Sequence, residues 1–229
     1  MASVSESLVL FDIDGTLVRG AGLHHKNALV EGIRRVTSLS TTLDGVPTAG
    51  MLDRDLIAIM LRTAGHNSRR IRMALARIMA ECQNCYAANC AIDLRGNVCA
   101  GVPEFLSGLK ARGAVLGLVT GNLSRIGLRK IELAGLREHF SVGAFAEDGT
   151  TRIRLAQVAA RRAMQQGLVG KGCRISLIGD HANDVEAAKK NGFRAVAVAT
   201  GVSSLEELRA AEPDILVPDL TELDPGELM

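Results

Sequence analysis

Tryptophan is absent from the 229 residues, tyrosine occurs once, and aromatic residues make up only 3% of the chain. A surface that stacks single-stranded nucleic acid needs more rings than this. Neither sign of charge dominates: 27 basic against 25 acidic residues leave a net charge of +2, scattered along the chain. That argues against a basic face for nucleic acid. No run approaches the ~20 apolar residues that cross a bilayer. The opening MASVSESLVLFDIDG has no basic segment and too short an apolar run for a secretory signal, which predicts a cytoplasmic protein without a membrane partner. Five cysteines, an odd number, do not suit a closed disulfide framework. Four of them cluster as Cys82, Cys85, Cys90 and Cys99. The first two have the spacing of a metal or redox pair, but the second pair of a zinc ribbon is missing. The segment around Cys82 reads as helix, so reduced thiols in or near a helical core are predicted, with metal or redox use as the alternative.

What is present is a globular chain. Apolar residues at 47% and charged residues at 23% are close to the average for folded domains. The length suits one large domain, or one domain with an insertion. Ser7 to Ile13 reads as a buried strand running into a loop. From Leu23 to Asn97 apolar positions recur at helical spacing, as in Leu56, Ile57, Met60, Leu61 and again in Ile71, Leu75, Ile78, Met79. This stretch predicts three to four helices and no strand. Beyond Pro103 helices and strands alternate. Helices are predicted over Glu104–Arg112, Leu123–Ala134, Thr151–Gln166, Asp184–Asn191 and Leu205–Ala211. They precede strands over Ala114–Val119, Val142–Ala146, Arg174–Ile178, Ala195–Ala199 and Asp214–Val217, respectively. Alternation of this kind with near-continuous apolar strands argues for an α/β fold, a parallel sheet covered by helices on both faces. The helical block after the first strand is then an insertion.

Ligands of open α/β sheets bind at the carboxyl ends of the strands, and polar residues gather there. The first strand leads into Asp12-Ile13-Asp14-Gly15-Thr16, the second into Thr120-Gly121-Asn122, the fourth into Gly179-Asp180 with Asp184 four residues on. Residues i and i+2 of a strand face one way, so Asp12 and Asp14 are expected to aim at one site. Carboxylates gathered so closely need a cation or proton uptake, and hard oxygen ligands favour Mg²⁺. Thr120 opens a helix whose free N–H groups suit phosphate. Each feature alone has a plain alternative: solvated acids in a turn, a helix cap, acids favoured at a helix start. Their coincidence on one rim carries the functional reading.

The segments FDIDGTLV (Phe11 to Val18), LVTGN (Leu118 to Asn122) and LIGDHANDVEAAKKNG (Leu177 to Gly192) resemble motifs of the haloacid dehalogenase-like hydrolases, in particular the phosphoglycolate-phosphatase-like branch. The similarity runs through nearly the whole chain. It implies a Rossmann-like core, residues 1–18 and 98–229, with an inserted helical cap, residues 19–97. It also implies roles. Asp12 would be the nucleophile that forms an aspartyl-phosphate. Asp14 would be acid to the leaving alcohol and then base to water. Thr120, with the backbone N–H groups of Gly121 and Asn122, would hold the phosphoryl oxygens. Mg²⁺ would be bound by Asp12, Asp180 and the main-chain carbonyl of Asp14, with Asp184 in support. The lysine usual at the family's third motif is missing between Lys130 and Lys171; Arg152 is the expected replacement, with Arg154 second. Asp12 must be ionised to attack and Asp14 protonated, and the like charge nearby is expected to raise the pKa of Asp14.

The resemblance implies hydrolysis of a small phosphomonoester. The alternatives are a phosphotransferase or mutase with the same intermediate, and a non-catalytic relative, for which the missing third-motif lysine is the only support. Arg19, Gly20 and Gly22 could form a hinge. His24, His25, Asp53 and Arg54 are candidates for substrate contact, against the plainer reading of helix-surface groups. Neither the substrate nor the oligomeric state follows from the sequence.

Overall fold

The computed structural model describes residues 4–90 and 92–229. Six parallel strands form one sheet in the order β3-β2-β1-β4-β5-β6. They are β1 (Ser5–Phe11), β2 (Val115–Val119), β3 (Val142–Ala144), β4 (Val169–Gly179), β5 (Arg194–Val198) and β6 (Ile215–Val217). β1 pairs with β2 on one side and β4 on the other, so the first strand is central and both its faces are covered. Its side chains alternate accordingly: Leu8 and Leu10 join one apolar cluster, Val9 and Phe11 the other. All four are fully buried, each contributing roughly 1.5–3 kcal/mol of transfer free energy. The fold is the predicted Rossmann-like α/β architecture.

Among the described residues, three helices, α1 (Gly22–Thr37), α2 (Asp53–Thr63) and α3 (Ser68–Asn89), fall between β1 and α4 (Val102–Ala111) with no strand among them. The stripe Leu56, Ile57, Met60, Leu61 is buried, as are Ile71 and Ile78, while Leu75 and Met79 are partly buried. The remaining helices are α5 (Ser124–Leu133), α6 (Arg152–Gln165), α7 (Ala182–Lys190) and α8 (Leu205–Ala210). None of the described helices is long and apolar enough to cross a membrane. Cys82, Cys85, Cys90 and Cys99 are buried free thiols. Burial holds Cys82 well above the usual thiol pKa, with the Asp53 charge adding to it.

Most strand limits differ from those predicted, and three of the differences have a clear physical cause. β1 ends at Phe11, two residues before Ile13, although Ile13 is fully buried. The apolar pattern continues there but the backbone turns: the N–H groups of Leu17 and Val18 both reach the Ile13 carbonyl, and Gly15 N–H reaches that of Val18. β4 begins at Val169, not Arg174, because Ser5 pairs with Val169 across a register shift. The intervening Gly170-Lys171-Gly172 is polar and carries no buried alternation. β3 stops at Ala144, since the Phe145 N–H turns to the Asp148 carboxylate at 3.0 Å.

The α1–α3 crossing depends on Gly32. A Cβ there would lie 2.5 Å from Cys82 Sγ and 2.7 Å from its Cα, so one backbone sits directly on the other. Gly32→Ala is predicted to destabilise the protein by about 1–3 kcal/mol through overpacking, despite alanine's better helix propensity; denaturant unfolding measures it.

Candidate active site

The strand ends converge on a cavity of about 530 Å³. Its floor holds Asp12, Asp14, Thr120, Gly121, Asn122, Arg152 and Asp180, and its roof is drawn from the helical layer. Asp12 follows β1 directly, and Asp180 follows β4. Asp184 comes from the first turn of α7. Oxygen atoms of Asp12, Asp180 and Asp184 lie within 4.8 Å of one another. All three residues are buried.

Arg152 answers part of this charge. It begins α6, capped by Thr151, whose side chain accepts the Arg154 N–H. From there its guanidinium donates to Asp12 Oδ1 at 2.9 Å and lies 3.2 Å from Asp184 Oδ1. Burial works against its charge, but Asp12 and Asp184 outweigh that and raise its pKa. Arg154 is excluded from the site: it is exposed and bonds Gln157. Two positions along a helix carry a side chain well round its circumference, so only one of the two arginines can face Asp12.

Three acids against one cation leave net negative charge in a dry place. Burial first, then Asp12, pushes Asp180 up to about 7. Asp184 is raised well above the usual carboxylate range by burial, with Asp12 and Asp180 adding to it against the opposing Arg152. Neither oxygen of the buried Asp184 carboxylate accepts a hydrogen bond, although Arg152 is near. Such orphaned oxygens are costly unless a cation or its water satisfies them. Glycines leave room for them: a Cβ at Gly15 or Gly201 would collide with the Asp180 carboxylate, and one at Gly179 with Asp184. The donor set therefore fits a divalent cation.

Asp14 departs from expectation twice. It lines the same cavity as Asp12, but because β1 has already ended its carboxylate does not join the acidic group. It turns to Lys130, with Nζ at 2.7 and 2.6 Å from its two oxygens, and accepts the Asn122 amide at 2.8 Å. Of Asp14, only the main-chain carbonyl implied by the family resemblance remains available for a metal. Its pKa is lowered rather than raised: burial pushes it up, but the Lys130 charge and the Lys130 and Asn122 hydrogen bonds prevail.

Thr120 is fully buried, and its hydroxyl oxygen accepts the Asn122 side-chain amide at 2.7 Å and the Asn122 N–H at 3.3 Å. Its own proton is not used in these bonds. Gly121 is where the helical layer touches the sheet edge. A side chain there would collide with the Met51 carbonyl, and the Gly121 carbonyl accepts the Asp53 N–H at 2.8 Å.

Of the helical residues, His25 and Asp53 line the cavity, and so does Lys26. Arg54 does not; it reaches across to the Gly149 carbonyl at 3.2 Å. His24 is half-buried and also lies outside the cavity wall. Sequence reasoning missed Lys130 and His181. Lys130 looks like an ordinary basic residue in the last turn of a helix, where such residues are favoured. His181 lines the cavity and caps α7; its place between Asp180 and Asp184 was the available signal.

The acidic cluster yields a stability prediction with a definite sign. The raised Asp180 retains in the folded state a proton that the unfolded chain loses. In chelator, stability is therefore predicted to fall as pH rises from about 4 to about 7. A divalent cation at ~100 times its Kd is predicted to add about 2.7 kcal/mol near neutral pH. Asp184→Asn should abolish most of that gain while unfolding no earlier than wild type in chelator. Denaturant melts across pH, with chelator or cation, measure each effect.

Residues 7–192 match the haloacid dehalogenase-like hydrolase family. A phosphoglycolate phosphatase of Synechococcus elongatus is 34% identical over 127 residues, 54% of this chain, and the match spans 56% of that relative's length. A 5'-nucleotidase of Pseudomonas aeruginosa is 27% identical over 226 residues, 94% of this chain and 92% of its own. The β-phosphoglucomutase structure from Clostridium difficile superposes with a TM-score of 0.69 at 16% identity, covering 95% of this chain and 92% of that one. A hydrolase from Pseudomonas syringae superposes at 0.64 with 17% identity, covering 96% of each chain; both show likeness of fold. With its motifs at the strand ends and its inserted helices, the chain belongs to the haloacid dehalogenase-like hydrolases.

Proposed function

We propose that this protein is a Mg²⁺-dependent phosphatase that hydrolyses a small phosphomonoester through an aspartyl-phosphate on Asp12. The observation that carries this reading is the Asp12 carboxylate, held by Arg152 at 2.9 Å on the cavity floor beside two further buried acids. A carboxylate fixed in this way suits in-line attack, and catalysis of phosphoryl transfer is largely positioning and charge neutralisation. Asp12, Asp180, the main-chain carbonyl of Asp14 and, directly or through water, Asp184 would hold Mg²⁺, which when bound supplies positive charge opposite the phosphoryl oxygens.

In the first half-reaction an Asp12 oxygen bonds to phosphorus and the bond to the leaving oxygen breaks. Thr120, with the N–H groups of Gly121 and Asn122, takes the phosphoryl oxygens. Asp14 gives the leaving oxygen its proton. The Lys130 pair favours ionised Asp14 in the free protein, but an arriving phosphate adds like charge beside it and works the other way. In the second half water attacks phosphorus, its proton passes to Asp14, and the bond to Asp12 breaks, releasing phosphate. The lowered Asp14 pKa suits that second step.

Residues 19–97 act in this reading as a cap that shuts the cavity from water. The Arg152 pair with Asp12 supports the reading in which it acts as the third-motif cation, and speaks against a non-catalytic relative. A transferase would hand the phosphoryl group to an alcohol, so labelled phosphate appearing in an acceptor rather than as inorganic phosphate would favour that alternative.

The test is phosphate release from a panel containing phosphoglycolate, nucleoside monophosphates, sugar phosphates and an aryl phosphate, with Mg²⁺ or excess chelator. Metal-dependent release is expected, and Asp12→Asn is expected to abolish it while leaving the unfolding transition near wild type. Release that persists in Asp12→Asn overturns the mechanism. Arg152→Ala is predicted to lower kcat by ~100-fold or more, a loss typical of removing a fixed cation or donor at a transferring group, as steady-state kinetics would show.

A further inference from the structure

The cavity does not explain Lys130. Its ammonium is completely buried on α5 and lies outside the cavity wall, so it does not touch a bound substrate. Burial of an amine is costly unless every proton finds a partner. Here the partners are the Asp14 carboxylate at 2.6 Å, the Asn122 Oδ1 at 2.7 Å and the His25 Nδ1 at 3.1 Å. An ammonium has three protons and can only donate. The His25 Nδ1 must therefore accept, which puts the ring proton on Nε2. From there it donates to Asp53 Oδ2 at 2.9 Å, and the same oxygen accepts the Leu123 N–H at 2.7 Å.

The partners come from two parts of the fold. Asp14, Asn122 and Leu123 belong to the sheet edge, whereas His25 and Asp53 belong to the inserted helices. The two Asp14 oxygens and Asn122 reach Lys130 from the sheet edge alone, and the His25 contact is added only while the helices sit over the strand ends. Lys130 also keeps the Asp14 carboxylate out of the group formed by Asp12, Asp180 and Asp184.

We propose that Lys130 is a positioning residue that aims Asp14 at the leaving oxygen, and that the His25–Asp53 pair of the inserted helices adds a further hold on the ammonium so that this aim is set when the helices close over the site. The inference rests on the phosphatase reading above, in which Asp14 handles the leaving group's proton.

The test uses the full-length protein with Mg²⁺ and two esters: an aryl phosphate with an acidic phenol, whose departure needs no proton, and an alkyl phosphate, whose departure does. kcat/KM is measured for wild type, Lys130→Met, His25→Phe, Asp14→Asn and Lys130→Met/Asp14→Asn. For Lys130→Met and His25→Phe the expected loss is ~10–100-fold on the alkyl ester, within the range of general acid catalysis, and at least several-fold smaller on the aryl ester. Asp14→Asn should show the same selectivity, and adding Lys130→Met to it should cost little more, since residues acting through one group are not additive. His25 is partly exposed, so His25→Phe carries the test should the buried lysine prove necessary for folding. Equal losses on both esters would mean a merely structural role and overturn the inference, as would an undiminished rate on the alkyl ester. Wild type that turns over neither ester would overturn the phosphatase reading and this inference with it.

Discussion

The buried guanidinium of Arg152 is the interaction on which the site depends. Without it, Asp12 and Asp184 would face each other in the dry interior with Asp180 beside them. One cation among three acids leaves a deficit of positive charge, and that deficit is what a divalent ion would meet. The same ion pair fixes by its Oδ1 the carboxylate proposed as nucleophile. Charge balance and positioning therefore come from a single side chain, placed at the first turn of α6 by the Thr151 cap.

A second buried cation divides the acids into two groups. Lys130 takes Asp14, and Arg152 takes Asp12 and Asp184. Two aspartates separated by one residue thus meet different environments. One sits among acids where a divalent cation fits, while the other is held by an ammonium. The turn at the end of β1 makes this possible, because it frees Asp14 from the alternation of the strand. The inserted helices complete the second group through His25 and Asp53, and the Gly121–Met51 approach lets them come close enough to do so.

Much of this arrangement was legible in the sequence. Asp12, Thr120 and Asp180 each follow an apolar run, with Asp184 four residues beyond Asp180, and sheet topology brings the ends of parallel strands to one rim. The helical stripes of α2 and α3 predicted their buried faces. Arg152 could be named as a cation in a variable motif, and the phase of α6 decided it against Arg154. Lys130 was not legible. In SRIGLRKIEL it reads as a solvated basic residue that complements the helix dipole, and only the packing of α5 against the sheet edge buries it. The direction of the Asp14 shift was misjudged for the same reason: nearby acids were visible in the sequence, whereas the lysine more than a hundred positions away was not. Strand limits moved where backbone turns override apolar pattern, as at Ile13, or where exposed residues pair without burial, as at the start of β4.

The central claim is that Asp12 carries the phosphoryl group during turnover. It is tested most directly by rapid quenching of the protein with an ester labelled in its phosphoryl group, followed by mapping of the labelled peptide. The account predicts transient label on the peptide that contains Asp12, formed and discharged at rates consistent with turnover. Label found on any other residue, or turnover retained when Asp12 is replaced by asparagine, would contradict it.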